Sequence, residues 1–312
     1  MPWLLAVVLA LTGCATGLTQ QERHKIDAST YVVTGASSGI GRQVALELAR
    51  YGANVVLAAR RTELLEQVAG EVRSTGGEAL AVTTDVSDPQ DVTRLAELAV
   101  ERFGRIDVWI NNAGVTAVGR FRDIPVEDHA RLVDVNLKGV IYGSHVALRQ
   151  FDAQGGGTLV NIGSLLSQVP LANQASYSAS KAAILSLGRA INEELRLDGA
   201  DDDIRVVTIL PWAVDTPIWE HAANYSGRDP RLRPMDEPER VARIIVEASL
   251  GSRAEVAVGW KARGVRLVNR AFPGITRWAA ANVYQSQLND ASAEPVTQGA
   301  LHEPMPQAGD GR

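Results

Sequence analysis

The strongest constraint on the fold is a regular alternation of two patterns that begins after residue 28. Short runs of branched apolar residues, typical of strands buried on both faces, alternate with longer amphipathic stretches of helical period. Strands separated by helices pair in parallel and carry those helices on both faces of the sheet. The pattern therefore predicts a single doubly wound α/β domain over residues 28–260, with a seven-stranded parallel sheet. The expected strands are Tyr31–Thr34, Asn54–Ala59, Ala79–Thr83, Val108–Asn111, Thr158–Ile162, Arg205–Leu210 and Ala254–Val258.

Composition excludes several classes of function. The 312 residues include 31 Lys and Arg against 36 Asp and Glu, a formal net charge of −5, which gives no support for binding nucleic acid through its phosphates. The single cysteine, Cys14, excludes an internal disulfide framework and a cysteine-built metal centre. Five scattered histidines without a His-Glu-x-x-His run provide no evident metal cage. We therefore expect a small-molecule substrate, no metal and no nucleic acid.

A glycine-rich turn follows the first expected strand and opens a helix. It reads Thr34-Gly35-Ala36-Ser37-Ser38-Gly39-Ile40-Gly41. Glycines let the backbone turn tightly and approach a pyrophosphate, while the helix N-terminus supplies free N–H donors. Glycines also occur in loops for turn geometry alone, so this element needs support from elsewhere in the chain.

Further short motifs follow the turn in a fixed order. They are Asp85-Val86, Asn111-Asn112-Ala113-Gly114, Asn136, Ser164 and Tyr177-Ser178-Ala179-Ser180-Lys181. Together with the glycine turn they resemble the short-chain dehydrogenase/reductase family, over about Thr30 to Val258. The resemblance implies a Rossmann-type fold, a nicotinamide dinucleotide cofactor and hydride transfer between the nicotinamide and a carbonyl or secondary alcohol. It also implies that Asp85 and Val86 border the adenine, and that Asn112, Ala113 and Gly114 contact the cofactor.

The spacing of Tyr177 and Lys181 suggests acid–base chemistry. Four residues apart, they share one face of a helix, and a nearby ammonium lowers the pKa of a phenol toward the operating pH. By the resemblance, Tyr177 protonates the carbonyl oxygen, Ser164 hydrogen-bonds that oxygen, and Lys181 also holds the nicotinamide ribose. Asn136 would carry a water that links Lys181 to solvent. Without the glycine turn and Ser164, the same two residues would be interpreted as a surface packing pair.

The end of the second strand decides which dinucleotide is expected. A carboxylate there binds the adenosine ribose of NAD and repels a 2′-phosphate, whereas an arginine attracts that phosphate. This chain has Ala59 followed by Arg60 and Arg61, with no acid. The sequence therefore predicts a preference for NADP(H), with Arg60 the chief phosphate contact and Arg61 a second. The alternative is that both arginines begin the next helix as solvated charges.

The segment after the sixth strand departs from the family pattern. It reads Pro211-Trp212-Ala213-Val214-Asp215-Thr216-Pro217, so Trp212 stands where the family usually has glycine. By the resemblance, Pro211 and Thr216 contact the nicotinamide end of the cofactor, and Trp212 lines or narrows the substrate site. Residues 218–234 lack clear periodicity and are expected to form a mobile lid, with Trp219 and Tyr225 as candidate substrate contacts.

The N-terminus is expected to be an anchor or a signal, separate from the domain. Residues 1–18 contain an apolar run, Trp3–Leu11, that is short for a straight bilayer span. The sequence Leu11-Thr12-Gly13-Cys14 resembles a bacterial lipobox, which would make the protein an exported lipoprotein lipidated at Cys14. Arg23 and Lys25 instead favour a membrane-associated protein with a cytoplasmic catalytic domain. A misassigned start codon is the third interpretation.

The C-terminal part divides into a basic extension, 261–286, and a tail, 287–312, that is expected to be disordered because it has few large apolar residues. Between Lys261 and Trp278 there are arginines and no acid. A helix over about Arg263–Phe272 would place arginines on one side and Val265, Val268 and Phe272 on the other. That helix either lies on an anionic membrane surface or, the plainer interpretation, packs its apolar side on the core.

Two classes of function remain. The first is an NADP(H)-dependent oxidoreductase, most simply a reductase of a lipophilic or small organic ketone. The second is a dinucleotide-binding sensor or scaffold that has kept the fold without turnover, since a fold does not prove activity. A lyase or isomerase that uses the same tyrosine is a weaker third. The resemblance also implies a homodimer or homotetramer built on two long helices, about Asp134–Gln150 and Ser176–Leu197.

Overall fold

A seven-stranded, wholly parallel sheet forms the centre of the molecule. The computed structural model describes residues 18–305, so the expected anchor or lipidation signal before Leu18 lies outside the described residues. Strand order across the sheet is β3-β2-β1-β4-β6-β7-β9, and the seven parallel strands agree with the sequence prediction. Its strands are β1 (Thr30–Thr34), β2 (Asn54–Ala59), β3 (Glu78–Thr83), β4 (Val108–Asn111), β6 (Gly157–Ile162), β7 (Ile204–Leu210) and β9 (Glu255–Ala257).

Helices cover both faces of this sheet and extend beyond its last strand. In chain order they are α1 (Gln20–Ile26), α2 (Gly39–Ala49), α3 (Thr62–Thr75), α4 (Pro89–Phe103), α5 (Val126–Val133), α6 (Gly139–Gln154), α7 (Ala175–Asp198), α8 (Pro238–Leu250), α9 (Gly259–Ala271) and α10 (Pro273–Asp290). Local sequence sets several of their ends. Asp88 caps the N-terminus of α4, and Gly104 ends it in a left-handed conformation with φ of 82°.

The strand order places a topological switch point at the middle of the sheet. From β1 the chain winds outward to β3, then returns to β4 on the other side of β1. The loops that follow β1 and β4 therefore diverge and leave a crevice at the carboxyl ends of the strands. Strand β1 is buried along its whole length, as expected for a strand covered on both faces. The crevice is where a ligand of this architecture binds.

A second, two-stranded sheet pairs β5 (Ala117–Val118) with β8 (Ala223–Asn224) in parallel. The sequence pattern does not predict either strand, because two residues are too few to show a period. Strand β8 lies inside the segment that was expected to be a mobile lid. The backbone N–H of Tyr225 also donates to the carbonyl oxygen of Val118 at 2.7 Å, and that of Arg233 donates to the side chain of Gln287 at 2.9 Å. Its chain is thus tied to the body at several points in this structure.

The expectation of a disordered tail is wrong for residues 287–305. Helix α10 continues to Asp290, and the chain beyond it makes isolated bridges from Ala293 to Arg228 and from Thr297 to Asn224. Leu301 is fully buried against the core. The prediction from composition is wrong because one buried apolar side chain, together with backbone hydrogen bonds to an already folded surface, is enough to order a short segment.

The basic extension folds as two consecutive helices, α9 and α10. Helix α9 starts earlier than expected, and the chain turns at Phe272 and continues as α10 from Pro273. The plainer interpretation, an apolar side packed on the core, is wrong for Val268 and Phe272, because both are largely exposed. Only Val265 of the expected apolar side contacts a buried cluster. Within residues 18–305, no helix is both long and apolar enough to cross a bilayer.

Candidate active site

One continuous pocket occupies the crevice at the carboxyl ends of β1, β2, β3, β4, β6 and β7. It brings together nearly all the residues that the sequence motifs indicate, from the six loops that follow these strands and from helix α7. The selected residues in its wall are Gly35, Ser37, Ser38, Gly39, Ile40, Arg60, Arg61, Asp85, Val86, Asn112, Ala113, Gly114, Ser164, Tyr177, Lys181, Pro211, Trp212, Thr216 and Trp219. The pocket wall does not include Thr34, Gly41, Asn136 or Tyr225.

The glycine turn has the backbone geometry that a dinucleotide requires. Gly35 and Gly39 adopt left-handed φ angles of 67° and 55°, which only glycine adopts without strain. A Cβ at Gly41 would lie 2.4 Å from the carbonyl oxygen of Gly35, so a side chain there has no room. The N-terminus of α2 has no acid in its first turn, and Ser38 makes no side-chain cap. Its N–H groups therefore remain available to a pyrophosphate, and the turn fits one.

Thr34 and Asn112 fix this turn against the loop after β4. The Thr34 hydroxyl accepts from the backbone N–H groups of Asn112 and Ala113, at 2.9 and 3.1 Å. In return, the Asn112 amide donates to the carbonyl oxygen of Thr34 at 2.8 Å. The two motifs thus form one hydrogen-bonded unit. Thr34, which was predicted as a cofactor contact, positions that unit from behind the pocket wall.

Helix α7 presents Tyr177 and Lys181 to the pocket one turn apart, as the spacing predicts. The Lys181 ammonium lies 5.6 Å from the centre of the Tyr177 ring and donates to the carbonyl oxygen of Ile162 at 2.8 Å. Ser164 follows β6, and its hydroxyl hydrogen-bonds the Tyr177 hydroxyl. Ser164 Oγ also accepts from the N–H of Leu166 at 3.1 Å, which fixes its orientation. A carbonyl oxygen placed here would meet two hydroxyl donors.

Burial shifts the two titrating groups in opposite directions. It raises the pKa of Tyr177 to about 12, while the hydrogen bond from Ser164 acts to lower it. It lowers the pKa of Lys181 to about 8. The expected effect, a phenol made more acidic by its ammonium neighbour, is not seen, because burial is the largest influence on the pKa of Tyr177 and only the Ser164 hydrogen bond opposes it. At neutral pH both groups are therefore protonated, and the phenol is in its proton-donating form.

Asn136 lies in a single π-helical turn, Asp134–Lys138, between α5 and α6. Such turns are rare in proteins overall, and those that occur often lie at functional sites. Its buried amide accepts from the N–H of Val115 at 2.8 Å and donates to the carbonyl oxygen of Val115 at 2.9 Å. The side chain therefore holds the loop after β4. The water link from Asn136 to Lys181 stays a prediction.

The two arginines after β2 line the pocket and contact the C-terminal segment. Arg60 donates to the carbonyl oxygens of Ala300 and His302, at 2.7 and 2.9 Å. Arg61 donates to Ser37, to Ser38 at 2.8 Å, and to the carbonyl oxygen of Met305 at 3.2 Å. Both are half-buried, so the interpretation as solvated helix-starting charges is wrong.

We call residues 300–305 the C-terminal strap. Within it, Ala300, Pro304 and Met305 belong to the pocket wall, and Leu301 is its buried anchor. Arg131 of α5 ties the strap to the body: it donates to the carbonyl oxygen of Leu301 at 3.1 Å and pairs with Asp85 at 2.8 Å. Burial acts to raise the pKa of Asp85, but hydrogen bonds from Ser87 and Arg131 lower it. The strap therefore closes the end of the pocket that Arg60, Arg61 and Asp85 define.

Aromatic side chains form the opposite end. Trp212 donates its indole N–H to the carbonyl oxygen of Pro234 at 2.7 Å, and Trp219 donates to that of Val214 at 2.9 Å. Both rings belong to one apolar cluster that includes Leu232 and Tyr284 of α10. The structure excludes Tyr225 from this wall, because its hydroxyl is hydrogen-bonded to the buried carboxylate of Asp128. Tyr225 is an aromatic residue in a segment without periodicity, and such a pattern does not predict the direction of the side chain.

Comparison with known proteins decides the family. A family model for short chain dehydrogenases matches residues 29–225. The chain belongs to the short-chain dehydrogenase/reductase family. Among relatives in that family, the uncharacterized oxidoreductase YxnA of Bacillus subtilis is 35% identical over 289 residues, which are 91% of this chain and 81% of the relative. The uncharacterized oxidoreductase Lmo0432 of Listeria monocytogenes is 38% identical over 70% of this chain and 88% of the relative.

Solved structures agree with this family assignment. A short-chain dehydrogenase/reductase from Burkholderia phymatum, in complex with NAD, superposes with a TM-score of 0.71 at 26% identity. The match covers 81% of this chain and 96% of that one. An alcohol dehydrogenase from Thermococcus sibiricus, complexed with 5-hydroxy-NADP, gives a TM-score of 0.63 at 28% identity, over 74% of this chain and 94% of that one.

Several residues of this short-chain dehydrogenase/reductase site were missed by sequence reasoning. Arg131 lies in an ordinary amphipathic helix, and nothing local marks it. The strap residues lie in a segment of low apolar content that was expected to be disordered. Gln174, which precedes helix α7, also lines the pocket. In each case the missing information is which distant surface the residue packs against.

Proposed function

We propose that this short-chain dehydrogenase/reductase is an NADP(H)-dependent reductase of the carbonyl group of a lipophilic or small organic ketone. The observation that carries the proposal is the content of a single pocket. At one end it holds Ser164, Tyr177 and Lys181, and at the other Arg60 and Arg61, with no carboxylate at the end of β2. The solved neighbours were described with NAD and with an NADP derivative, so the fold itself accepts either.

The protonation states support carbonyl reduction. When bound, NADPH supplies a hydride to the carbonyl carbon, and the electron pair of the C=O π bond moves to the oxygen. Tyr177, neutral because burial raises its pKa to about 12, gives its proton to that oxygen. The Ser164 hydroxyl donates a hydrogen bond to the same oxygen and stabilises the charge that develops there. The product is a secondary alcohol.

Lys181 supports this chemistry in two ways. Its ammonium is placed to stabilise the phenolate that Tyr177 becomes after proton transfer, and it can bind the ribose of the nicotinamide. Attraction between the two is strongest once the phenolate exists, so the ammonium acts on the transition state more than on the resting enzyme. Proton return from solvent through Lys181 and a water at Asn136 completes the cycle.

The preference for NADP(H) is argued from charge. Guanidinium groups bind phosphate through several charge-assisted hydrogen bonds, each stronger than a neutral one. Burial lowers the pKa of Arg60, although Asp85 and Glu303 act in the opposite direction. A desolvated cation of this kind gains more from a phosphate than a solvated one does. Loop residues Ser37 and Ser38, which already contact Arg61, are placed to contact the same phosphate.

Binding titrations test the cofactor proposal directly. In wild-type protein we expect NADPH to bind more tightly than NADH. In Arg60→Ala and Arg61→Ala the affinity for NADPH should fall roughly tenfold to a hundredfold, with NADH changed far less. Arg50→Ala, an exposed arginine that follows the last residue of α2, is the matched control. Equal affinities of the wild-type protein for both dinucleotides would contradict the preference.

Turnover tests the reaction class. Incubation with NADPH and a panel of ketones, quinones, steroids, sugars and aldehydes should oxidise the cofactor with at least one carbonyl class. Tight NADPH binding together with silence across the whole panel would instead support a dinucleotide-binding sensor or scaffold. Substrate conversion without net change in cofactor absorbance would support a lyase or isomerase.

A further inference from the structure

The outer side of helices α9 and α10 is apolar where a surface helix is ordinarily polar. Trp260, Leu267 and Trp278 are 73%, 70% and 69% exposed. We call the exposed apolar side chains of the two helices the outer face. Its largest members are Trp260, Leu267, Phe272, Ile275, Trp278 and Val283. Scattered exposed apolar residues are normal, but this many large ones on two consecutive helices mark a surface that binds something.

The exposed apolar residues recur at helical spacing, so the outer face is a regular feature of these helices. Trp260 and Leu267 are seven residues apart and lie on one stripe of α9. Ala262, on the opposite side of the same helix, is fully buried, and Thr276 and Tyr284 of α10 are buried likewise. The helices are thus docked by one side, and the apolar stripe points away from the body. The helices therefore have a second apolar side, which faces outward and stays exposed in the fold.

The charge beside the outer face identifies its partner. From Trp260 to Val283 the sequence contains Lys and Arg and no acid. Lys261 pairs with Asp236, and Arg266 pairs with Glu255 of β9. Among residues 18–305, Arg263, Arg270 and Arg277 make no ion pair. Exposed tryptophans with arginines alongside are the composition of an interfacial helix on an anionic bilayer.

A second copy of the chain fits this surface less well. Two-fold dimers bring the same patch of both subunits together, so each unpaired arginine would approach its own counterpart or a neighbour of equal charge. Like charges placed together in an interface are unfavourable. Anionic lipid head groups instead neutralise all of these arginines, while the apolar side chains reach the acyl boundary. We propose that the outer face binds the surface of an anionic membrane, with α9 and α10 lying in the plane of the bilayer interface.

A site-specific probe tests this surface in the full chain. Because Cys14 is the only cysteine, a Cys14→Ser background allows one label at Leu267→Cys, on the outer face. Leu197→Cys, equally exposed at 73% but on α7, is the matched control. An environment-sensitive fluorophore at position 267 should shift to the blue with vesicles of phosphatidylcholine containing 30% phosphatidylglycerol, and not at position 197. With pure phosphatidylcholine vesicles the shift should be much smaller.

Flotation with the same vesicles gives the energetic test. Arg263→Gln and Arg270→Gln should each weaken binding to the anionic vesicles roughly fivefold. Leu267→Ser with Trp278→Ser should weaken it by at least about tenfold, while Leu197→Ser leaves it unchanged. Circular dichroism checks that each variant is folded.

Three results would overturn the proposal. The first is full-length protein that does not bind anionic vesicles. The second is protein that binds them with no change in the label at position 267, which would assign binding to another part of the chain. The third is a label that shifts without vesicles as protein concentration rises, which would make the outer face an interface between copies.

Discussion

Tyr177 and Lys181 show how one environment prepares two groups at the residue scale. Both lose solvent at the same end of the pocket, and the loss favours the neutral form of each. The pKa of Tyr177 therefore rises to about 12 and that of Lys181 falls to about 8. A phenol that holds its proton is a donor, which suits carbonyl reduction. An ammonium that titrates near pH 8 makes the reaction sensitive to mildly alkaline conditions.

The first residue-scale prediction concerns the proton donor. Tyr177→Phe should reduce the rate of ketone reduction by roughly 10²–10⁴-fold, because the ring stays and only the donated proton is lost. NADPH affinity should change little, since the phosphate contacts lie at the other end of the pocket. Rates followed by NADPH absorbance and affinities from fluorescence titration give both numbers. Tyr51→Phe removes a hydroxyl bonded to Glu47, far from the pocket wall, and serves as control. Retained turnover in Tyr177→Phe would remove the proposed donor.

The second prediction concerns pH. The ammonium of Lys181 is present below its pKa of about 8 and is lost as pH rises through that value. Because Tyr177 keeps its proton over the same range, kcat/KM for reduction should be level below pH 8 and fall about tenfold per unit above it. A profile from pH 6 to pH 10 at constant ionic strength measures this. In Lys181→Gln the alkaline limb should disappear along with most of the activity. A wild-type profile that is flat to pH 10 would contradict the role of the ammonium.

At the scale of elements, the glycine turn and the loop after β4 operate as one unit. Thr34 and Asn112 exchange hydrogen bonds across it, and Gly41 packs against Gly35 and Asn112. The sequence identified this unit correctly, because close backbone approach leaves a local trace in the form of glycines at fixed spacing. It could not show which members face the ligand. Thr34 and Gly41 do not line the pocket and hold the turn together, and the predicted contact of each with the cofactor stays a prediction.

Two glycine-to-alanine substitutions distinguish the effect of close packing at the turn from the ordinary effect of a glycine inside a helix. In Gly41→Ala the new Cβ would lie 2.4 Å from the Gly35 carbonyl oxygen and 2.6 Å from the Asn112 amide. The turn must shift, so we expect a loss of about 1–3 kcal/mol in the free energy of unfolding and a large loss of NADPH affinity. In Gly70→Ala of helix α3 the new Cβ meets nothing within 4 Å. That variant should gain about 0.5–1 kcal/mol with unchanged binding. Denaturant unfolding and cofactor titration measure both effects, and equal behaviour of the two variants would contradict the packing argument.

At the scale of the whole molecule, the chain returns to its own cofactor pocket after the last helix. The strap, residues 300–305, accepts hydrogen bonds from Arg60 and Arg61, which lie some 240 positions earlier in the sequence. The fold, and the meeting of Ser164, Tyr177 and Lys181 in one pocket, could be predicted because periodicity and short motifs encode them locally. The strap, Arg131 and the outer face could not, because each depends on which distant surfaces meet.

Release of the strap should change the choice of cofactor. Leu301→Asp places a charge at the buried anchor, so the strap should leave the body and free Arg60 and Arg61 from its carbonyl oxygens. We expect NADPH to bind roughly tenfold more tightly, or to associate correspondingly faster, with NADH affected less. Val296→Asp, an exposed position just before the strap, is the control. Fluorescence titration and stopped-flow association measure the effect. Weaker NADPH binding would show that the strap builds the site instead of competing for it.

The strap also bears on how the protein is prepared for measurement. Arg60 and Arg61 donate to the backbone carbonyl oxygens of Ala300, His302 and Met305. Proteolysis between α10 and the strap would remove those acceptors and leave both guanidinium groups open to a nucleotide. Dissociation constants for NADPH should therefore be compared only between preparations whose mass shows that residues 300–305 are present.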